Sequence, residues 1–234
     1  MYVLCKHFCH DTIGGNLYCI PGFGSEVYAM PLSSPDLRQA KREARRAARV
    51  RLRSLSPEAL STAGQEIAAA LFARPDWQAA DTVFCFVSMP SEPDTLPILR
   101  AALKEGKRLC VPRMLGGGQM ELVCISSLDG LRPNAMGIRE PVDGQVLVPE
   151  TLSPRSLAVV PCLAVSRDGV RLGRGGGYYD RFLAGFGGQA VLVCPRALVF
   201  DTLPADPWDA RFAPADILTG GPFRLPQDGV FPAF

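Results

Sequence analysis

The ten residues Arg171-Leu-Gly-Arg-Gly-Gly-Gly-Tyr-Tyr-Asp180 hold the densest chemistry in the chain. Gly173, Gly175, Gly176 and Gly177 let the backbone approach a ligand and adopt positive φ. An apolar run, 157–161, precedes them, and a short helix starting near Tyr178 is expected to follow. Backbone N–H groups at a helix start favour anions. Arg171 and Arg174 add charge that suits phosphate oxygens. Asp180 supplies a carboxylate where Mg²⁺ carried on phosphates would need one. The pattern is not a Walker A loop, because no Gly-Lys-Ser/Thr follows, and it is not GxGxxG. Such a turn alone is structural about half the time or more. Two Arg, a Tyr pair and an Asp around the glycines favour the ligand-binding reading.

A second segment runs Phe86-Val-Ser-Met-Pro-Ser-Glu92-Pro-Asp-Thr95. It leaves the expected strand 82–87, and ligands of open α/β sheets bind outside the carboxyl ends of the strands. Glu92 could accept hydrogen bonds from a heterocycle, or the loop could simply be a solvated cap. A third segment is basic. Arg38, Lys41, Arg42, Arg45, Arg46, Arg49, Arg51 and Arg53 face Glu43 alone on a helical stretch, with Lys41 and Arg45 on one side. It reads as a nucleic-acid face, as a reach towards phosphates, or, for most of its residues, as a solvated face.

The elements that position these segments alternate. Asp36 is expected to cap the basic helix, and Ser56-Pro57 to open a second with apolar residues at helical spacing. Thr95 is expected to cap a third, which ends before Gly106. The continuous apolar, β-branched run at 82–87 reads as a buried strand, and 108–112, 120–125, 157–161, 190–194 and weakly 216–219 read as strands as well. Strands alternating with helices predict an α/β fold: a three-layer α/β/α sandwich with a mostly parallel central sheet, Rossmann-like. The Pro/Gly-rich stretches 112–118 and 133–155 read as loops.

Composition narrows the function classes. Apolar content of 47% and charged content of 21% are those of an ordinary globular protein. A net charge of +2 nominates neither nucleic acid nor a membrane, and no apolar run reaches spanning length. Both His, His7 and His10, stand near the start, so a Ser-His-Asp or Cys-His hydrolase is not expected. The scattered Cys read as reduced and buried. Cys5, His7, Cys9, His10 and Cys19 fit no standard zinc spacing. Nothing at the start reads as a signal peptide, so a cytoplasmic location is expected.

These segments resemble, in family order, the 5-formyltetrahydrofolate cyclo-ligases, also called methenyltetrahydrofolate synthetases. The resemblance covers about 36 to 220. It rests on Lys41-x-x-x-Arg45, on Ser88, Glu92 and Thr95, on Gly106-Lys107 with Pro112, on Met136-Gly-Ile-Arg-Glu-Pro141, and on the complete 171–180 signature. It implies an ATP- and Mg²⁺-dependent, monomeric enzyme acting on a reduced folate, with neither nucleic acid nor membrane as partner. It implies ATP contacts from Lys41, Arg45 and each residue from Arg171 to Tyr179: Arg171, Leu172, Gly173, Arg174, Gly175, Gly176, Gly177, Tyr178 and Tyr179. Val87, Glu92 and the stretch Arg174, Gly175, Gly176, Gly177, Tyr178 would line the folate site, with Arg174 and Tyr178 catalytic. Asp180 would ligate Mg²⁺. Gly176 stands where some members have Lys. Ala215 falls where some carry a second metal Asp, which leaves Asp216 as the neighbouring candidate. The implied organisation is an unstructured extension over 1–35, one cyclo-ligase domain over 36–222 and a tail over 223–234. Rival readings are a silent relative that binds ATP or a folate-like ligand, and a nucleic-acid binder using the basic helix.

Overall fold

The computed structural model describes residues 34–148 and 152–222. The extension, its Cys and His residues and the C-terminal tail lie outside the described residues, apart from positions 34 and 35. Helix α1, Pro35–Arg53, starts two residues earlier than the sequence suggested. Ser34, not Asp36, is its N-cap: the Ser34 hydroxyl accepts from the Leu37 amide, and Pro35 fills the first helical position, where no N–H is needed. Helix α2, Pro57–Phe72, is capped by Ser56 as expected. A short α3, Pro75–Ala79, seats Trp77 in the core. Strand β1, Thr82–Cys85, leads through the 86–95 loop to α4, Leu96–Lys104. Thr95 occupies the N-cap position of α4 without capping it; the Asp94 carboxylate accepts from the Leu96 amide instead.

Strands β2, Arg108–Gly116, and β3, Gln119–Ile125, form a hairpin. Much of the expected 112–118 loop is therefore strand, with only the turn at Gly117-Gly118 irregular. The stretch 133–155 likewise holds β5, Arg139–Pro141, which pairs with β4, Leu131–Pro133, and then β6, Gln145–Leu147. Next come β7, Ser156–Pro161, β8, Ala164–Ser166, β9, Arg171–Leu172, and α5, Tyr178–Gly185. Strands β10, Gln189–Pro195, β11, Val199–Phe200, and β12, Ile217–Gly220, follow and complete the strands of the described residues.

The expected α/β architecture with a mostly parallel central sheet is present. Seven strands run in the order β12-β10-β7-β1-β2-β3-β6. The first five are parallel, and β3 and β6 are antiparallel additions at one edge. From β1 the chain crosses to β2 on one side, and from β7 to β10 on the other. Their loops part above the sheet between β1 and β7, which is where such folds form a crevice. On one face Phe84 meets Phe182 of α5, ring centroids 4.6 Å apart. No helix among the described residues is long and apolar enough to cross a membrane.

Helix α2 backs the 86–95 loop by close approach. A Cβ on Gly64 would stand 2.4 Å from the Asp94 carbonyl oxygen and 2.6 Å from its nitrogen. Ala is the better helix former by about 1 kcal/mol. Gly64→Ala is nevertheless expected to destabilise the protein by about 1–3 kcal/mol, because backbone atoms cannot swing aside as a side chain can. Thermal unfolding checks this; a variant as stable as the parent would show that the approach is looser.

Candidate active site

A short hairpin that the sequence did not disclose separates β7 from the glycine loop. Strands β8 and β9 pair antiparallel, and β8 also pairs with β11. Arg171 therefore sits in a strand, with its side chain buried. It donates to the Pro161 carbonyl at 2.9 Å and to Asp180 Oδ1 at 3.0 Å, and its guanidinium lies 5.3 Å from the Tyr179 ring centroid. Burial, with Glu92 adding to it, pushes the Tyr179 phenol well above its usual range, so the group stays protonated at neutral pH.

The glycine loop then turns into α5. Gly175 and Gly177 have φ of 110° and 68°, a region that side chains other than glycine rarely enter. Gly177 stands at the helix N-cap with no side-chain cap, so the first N–H groups of α5 have no side-chain acceptor there. A Cβ on Gly176 would lie 2.6 Å from the Tyr178 ring, so the ring covers the place a side chain would take.

Across the crevice the 86–95 loop is tied by its own side chains. Thr95 Oγ1 donates to the Phe86 carbonyl at 2.9 Å and accepts from the Ser88 amide at 3.0 Å. Glu92, 9% exposed, accepts from the Met89 amide through Oε2. Its Oε1 takes the Arg174 guanidinium at 2.9 Å. The loops after β1 and β9, distant in sequence, thus meet in an ion pair at the mouth of one cleft of about 220 Å³. Val87, Glu92, Arg171, Gly173, Arg174, Gly175, Gly176, Gly177, Tyr178, Tyr179 and Asp180 all line it.

Four expected residues stand elsewhere. Leu172 is buried in a small apolar cluster with Ala44 and Ala48 of α1, where it packs the helix against the loop. Arg45 does not line the cleft; its Nε donates to the Gly173 carbonyl at 3.0 Å. Burial and Arg49 lower its pKa, while Asp209 and Asp180 oppose them, and an arginine so placed keeps its charge. Lys41 is buried against two carboxylates, Asp206 and Asp209, at 2.5 Å each. These two acids were missed, since nothing local in the sequence ties them to a helix 165 positions away. Asp216, the candidate second metal ligand, pairs with Arg74 at 2.7 Å. It shares a side hollow with Asp180.

The apolar cleft wall also went unassigned. Pro112 and Met114 of β2 and Met136 and Ile138 of the β4–β5 hairpin line it. The last two lie within the quoted Met136–Pro141 motif, so the segment was visible although its role was not. Glu140 explains the motif's acid: its carboxylate accepts from the Met114 amide at 3.0 Å and pins the hairpin over the cleft. Among the described residues no three His, Cys, Asp or Glu side chains gather into a metal cage. Mg²⁺ carried on phosphates needs only one or two carboxylates, and Asp180 beside the loop is a donor of that kind.

Comparison with known proteins bears on the family and the fold. Residues 37–218 match the 5-formyltetrahydrofolate cyclo-ligase family. The 5-formyltetrahydrofolate cyclo-ligase of Escherichia coli K12 is 31% identical over 167 residues, covering 69% of this chain and 91% of the relative. The mouse 5-formyltetrahydrofolate cyclo-ligase is 31% identical over 158 residues, covering 65% and 77%. The solution structure of Aquifex aeolicus 5,10-methenyltetrahydrofolate synthetase superposes with a TM-score of 0.65 at 32% identity, covering 82% of this chain and 95% of that one. The chain belongs to the 5-formyltetrahydrofolate cyclo-ligase family.

Proposed function

We propose that this protein closes 5-formyltetrahydrofolate to 5,10-methenyltetrahydrofolate with conversion of ATP to ADP and phosphate. The observation that carries the reading is one cleft with two chemistries. An apolar wall with a buried acid, Glu92, faces a glycine loop with an arginine, Arg174. The wall suits a heterocycle and the loop suits phosphates.

The formyl carbon on N5 is amide-like and a poor electrophile, and its oxygen is the nucleophilic end. That oxygen attacks the γ-phosphorus of ATP, and the bond to the ADP oxygen breaks. N10 then attacks the activated formyl carbon, the N10 proton is lost, and the carbon–oxygen bond breaks as phosphate leaves. Both steps call for alignment and charge neutralisation more than for a general base, which fits a cleft without His among the described residues. Glu92, fixed by the Met89 amide, orients the heterocycle through its N–H groups. Arg174, 42% exposed at the side chain, moves from Glu92 to the transferring phosphoryl group. Tyr178 lies between the two substrates. Arg45 steadies the loop from behind through Gly173, and Lys41 holds the 206–209 turn. Mg²⁺, held by Asp180 and the phosphates, supplies further charge neutralisation when bound. In this reading Asp216 remains the partner of Arg74.

The test is to mix the protein with 5-formyltetrahydrofolate, Mg²⁺ and ATP and follow the near-ultraviolet absorbance of the methenyl product. A rise that needs ATP is expected. No rise from folded protein sinks the reading.

A further inference from the structure

Arg181 lies one turn into α5 and outside the cleft lining. Side chains on a helix lean towards its N-terminus, and this one reaches back over the glycine loop. A single nitrogen, Nη1, donates to two backbone carbonyls: Gly118 at 2.9 Å and Gly176 at 3.1 Å. Gly118 is 63 positions away, in the turn between β2 and β3. The guanidinium fits because both sides of its seat lack a side chain. A Cβ on Gly118 would stand 2.0 Å from Nη1 and 2.6 Å from the Gly176 oxygen, and one on Gly177 would stand 2.9 Å from Nη1. The backbone at Gly118 and Gly177, with φ of 78° and 68°, is also of the kind that favours glycine.

The loop needs such a tie. Gly175 and Gly176 are exposed and carry no side chain that could anchor them, and glycine has the most conformational freedom to lose. We propose that Arg181 is a positioning residue for the nucleotide: seated between Gly118 and Gly177, its guanidinium holds the glycine loop in its anion-binding shape and fastens it to the β2–β3 hairpin. The same hairpin carries Pro112 and Met114 to the apolar side of the cleft, so the clamp sets the spacing of the two substrate sides. The apolar side has a second tie, from Glu140 to the Met114 amide. The loop's other tie, from Arg45 to the Gly173 carbonyl, lies before the exposed Gly175 and Gly176, so the loop side loses more when the clamp is cut. The nucleotide assignment rests on the function proposed above; the clamp itself does not.

Two readouts separate the claims. In the first, hydrogen exchange of residues 116–120 and 173–180 is measured in the ligand-free parent, in Arg181→Met, in Gly118→Ala and in the double variant. Either single change is expected to speed exchange in both segments. The double variant is expected to add little to either, as for one shared contact. Unchanged exchange in the glycine loop of both single variants, or additive effects, overturns the clamp. In the second, ATP-dependent methenyl formation is measured. Arg181→Met is expected to lower kcat/KM for ATP by roughly 10- to 100-fold, as misplaced catalytic groups do. KM for ATP rises more than KM for the folate, and Arg181→Lys recovers part of the loss because it restores one donor. Equal shifts in both KM values, or none, overturn the positioning role. A parent without ATP-dependent turnover overturns the cyclo-ligase reading, and the exchange experiment still decides the clamp. Should Arg181→Met not fold, Gly118→Ala and Arg181→Lys carry both readouts.

Discussion

Arg174→Ala is expected to lower kcat/KM by roughly 100- to 1,000-fold, the usual loss when one preorganised donor to a developing charge is removed. The unfolding midpoint should move far less. The Arg174 side chain is 42% exposed at the mouth of the cleft, and exposed ion pairs contribute little to stability. Its partner Glu92 is buried but keeps the hydrogen bond from the Met89 amide, so the acid is not stranded. Arg174→Lys retains the charge but not the planar fork and should fall between the two. Initial rates under saturating folate, with circular dichroism as the control for folding, decide the matter. Parent-like turnover in folded Arg174→Ala would remove Arg174 from the mechanism and with it the main support for phosphoryl transfer in this cleft.

Arg171→Met should show the other signature, a loss of stability together with activity. The Arg171 side chain is 5% exposed and bonds the Pro161 carbonyl and Asp180. Met fills much of the volume without replacing either bond. A half-buried carbonyl then lacks its donor, which costs at most about 1–3 kcal/mol. Asp180, 36% exposed at the side chain, turns to water, so the full penalty of a stranded buried charge does not apply. A loss of about 2–3 kcal/mol would lower the midpoint by roughly 4–12 °C in a domain of this size. Turnover should fall as well, since the same bond orients the carboxylate proposed for Mg²⁺. A midpoint within a degree of the parent would mean that the Pro161 and Asp180 bonds are not held in solution.

Much of the fold was legible because burial leaves a periodic trace. The run at 82–87 is buried throughout and apolar at every position after Thr82, as a strand covered on both faces requires, and Ser56-Pro57 marks a helix start by backbone chemistry alone. The errors fell where two local rules compete. Asp36 and Ser34 are both good caps, and the Pro between them favours the earlier one by occupying the first helical position. Thr95 has capping chemistry, yet its hydroxyl is spent on Phe86 and Ser88, while Asp94 takes the Leu96 amide. Residues 112–118 carry loop-forming Pro and Gly, but a Pro is tolerated within β2 and only Gly117 and Gly118 form the turn.

Sequence by itself determined where a close backbone approach was possible, at Gly173 to Gly177, and which side chains of the neighbourhood carried charge. Glycine and arginine have those properties in any fold. Partner choice was decided by tertiary structure alone. Lys41 met Asp206 and Asp209, Asp216 met Arg74, and Arg174 met Glu92 across 82 positions of chain. Periodicity records which face of an element is buried, but not which element will lie opposite. That is set by the strand order, and here the divergence of the chain between β1 and β7 brings two unrelated loops to one cleft.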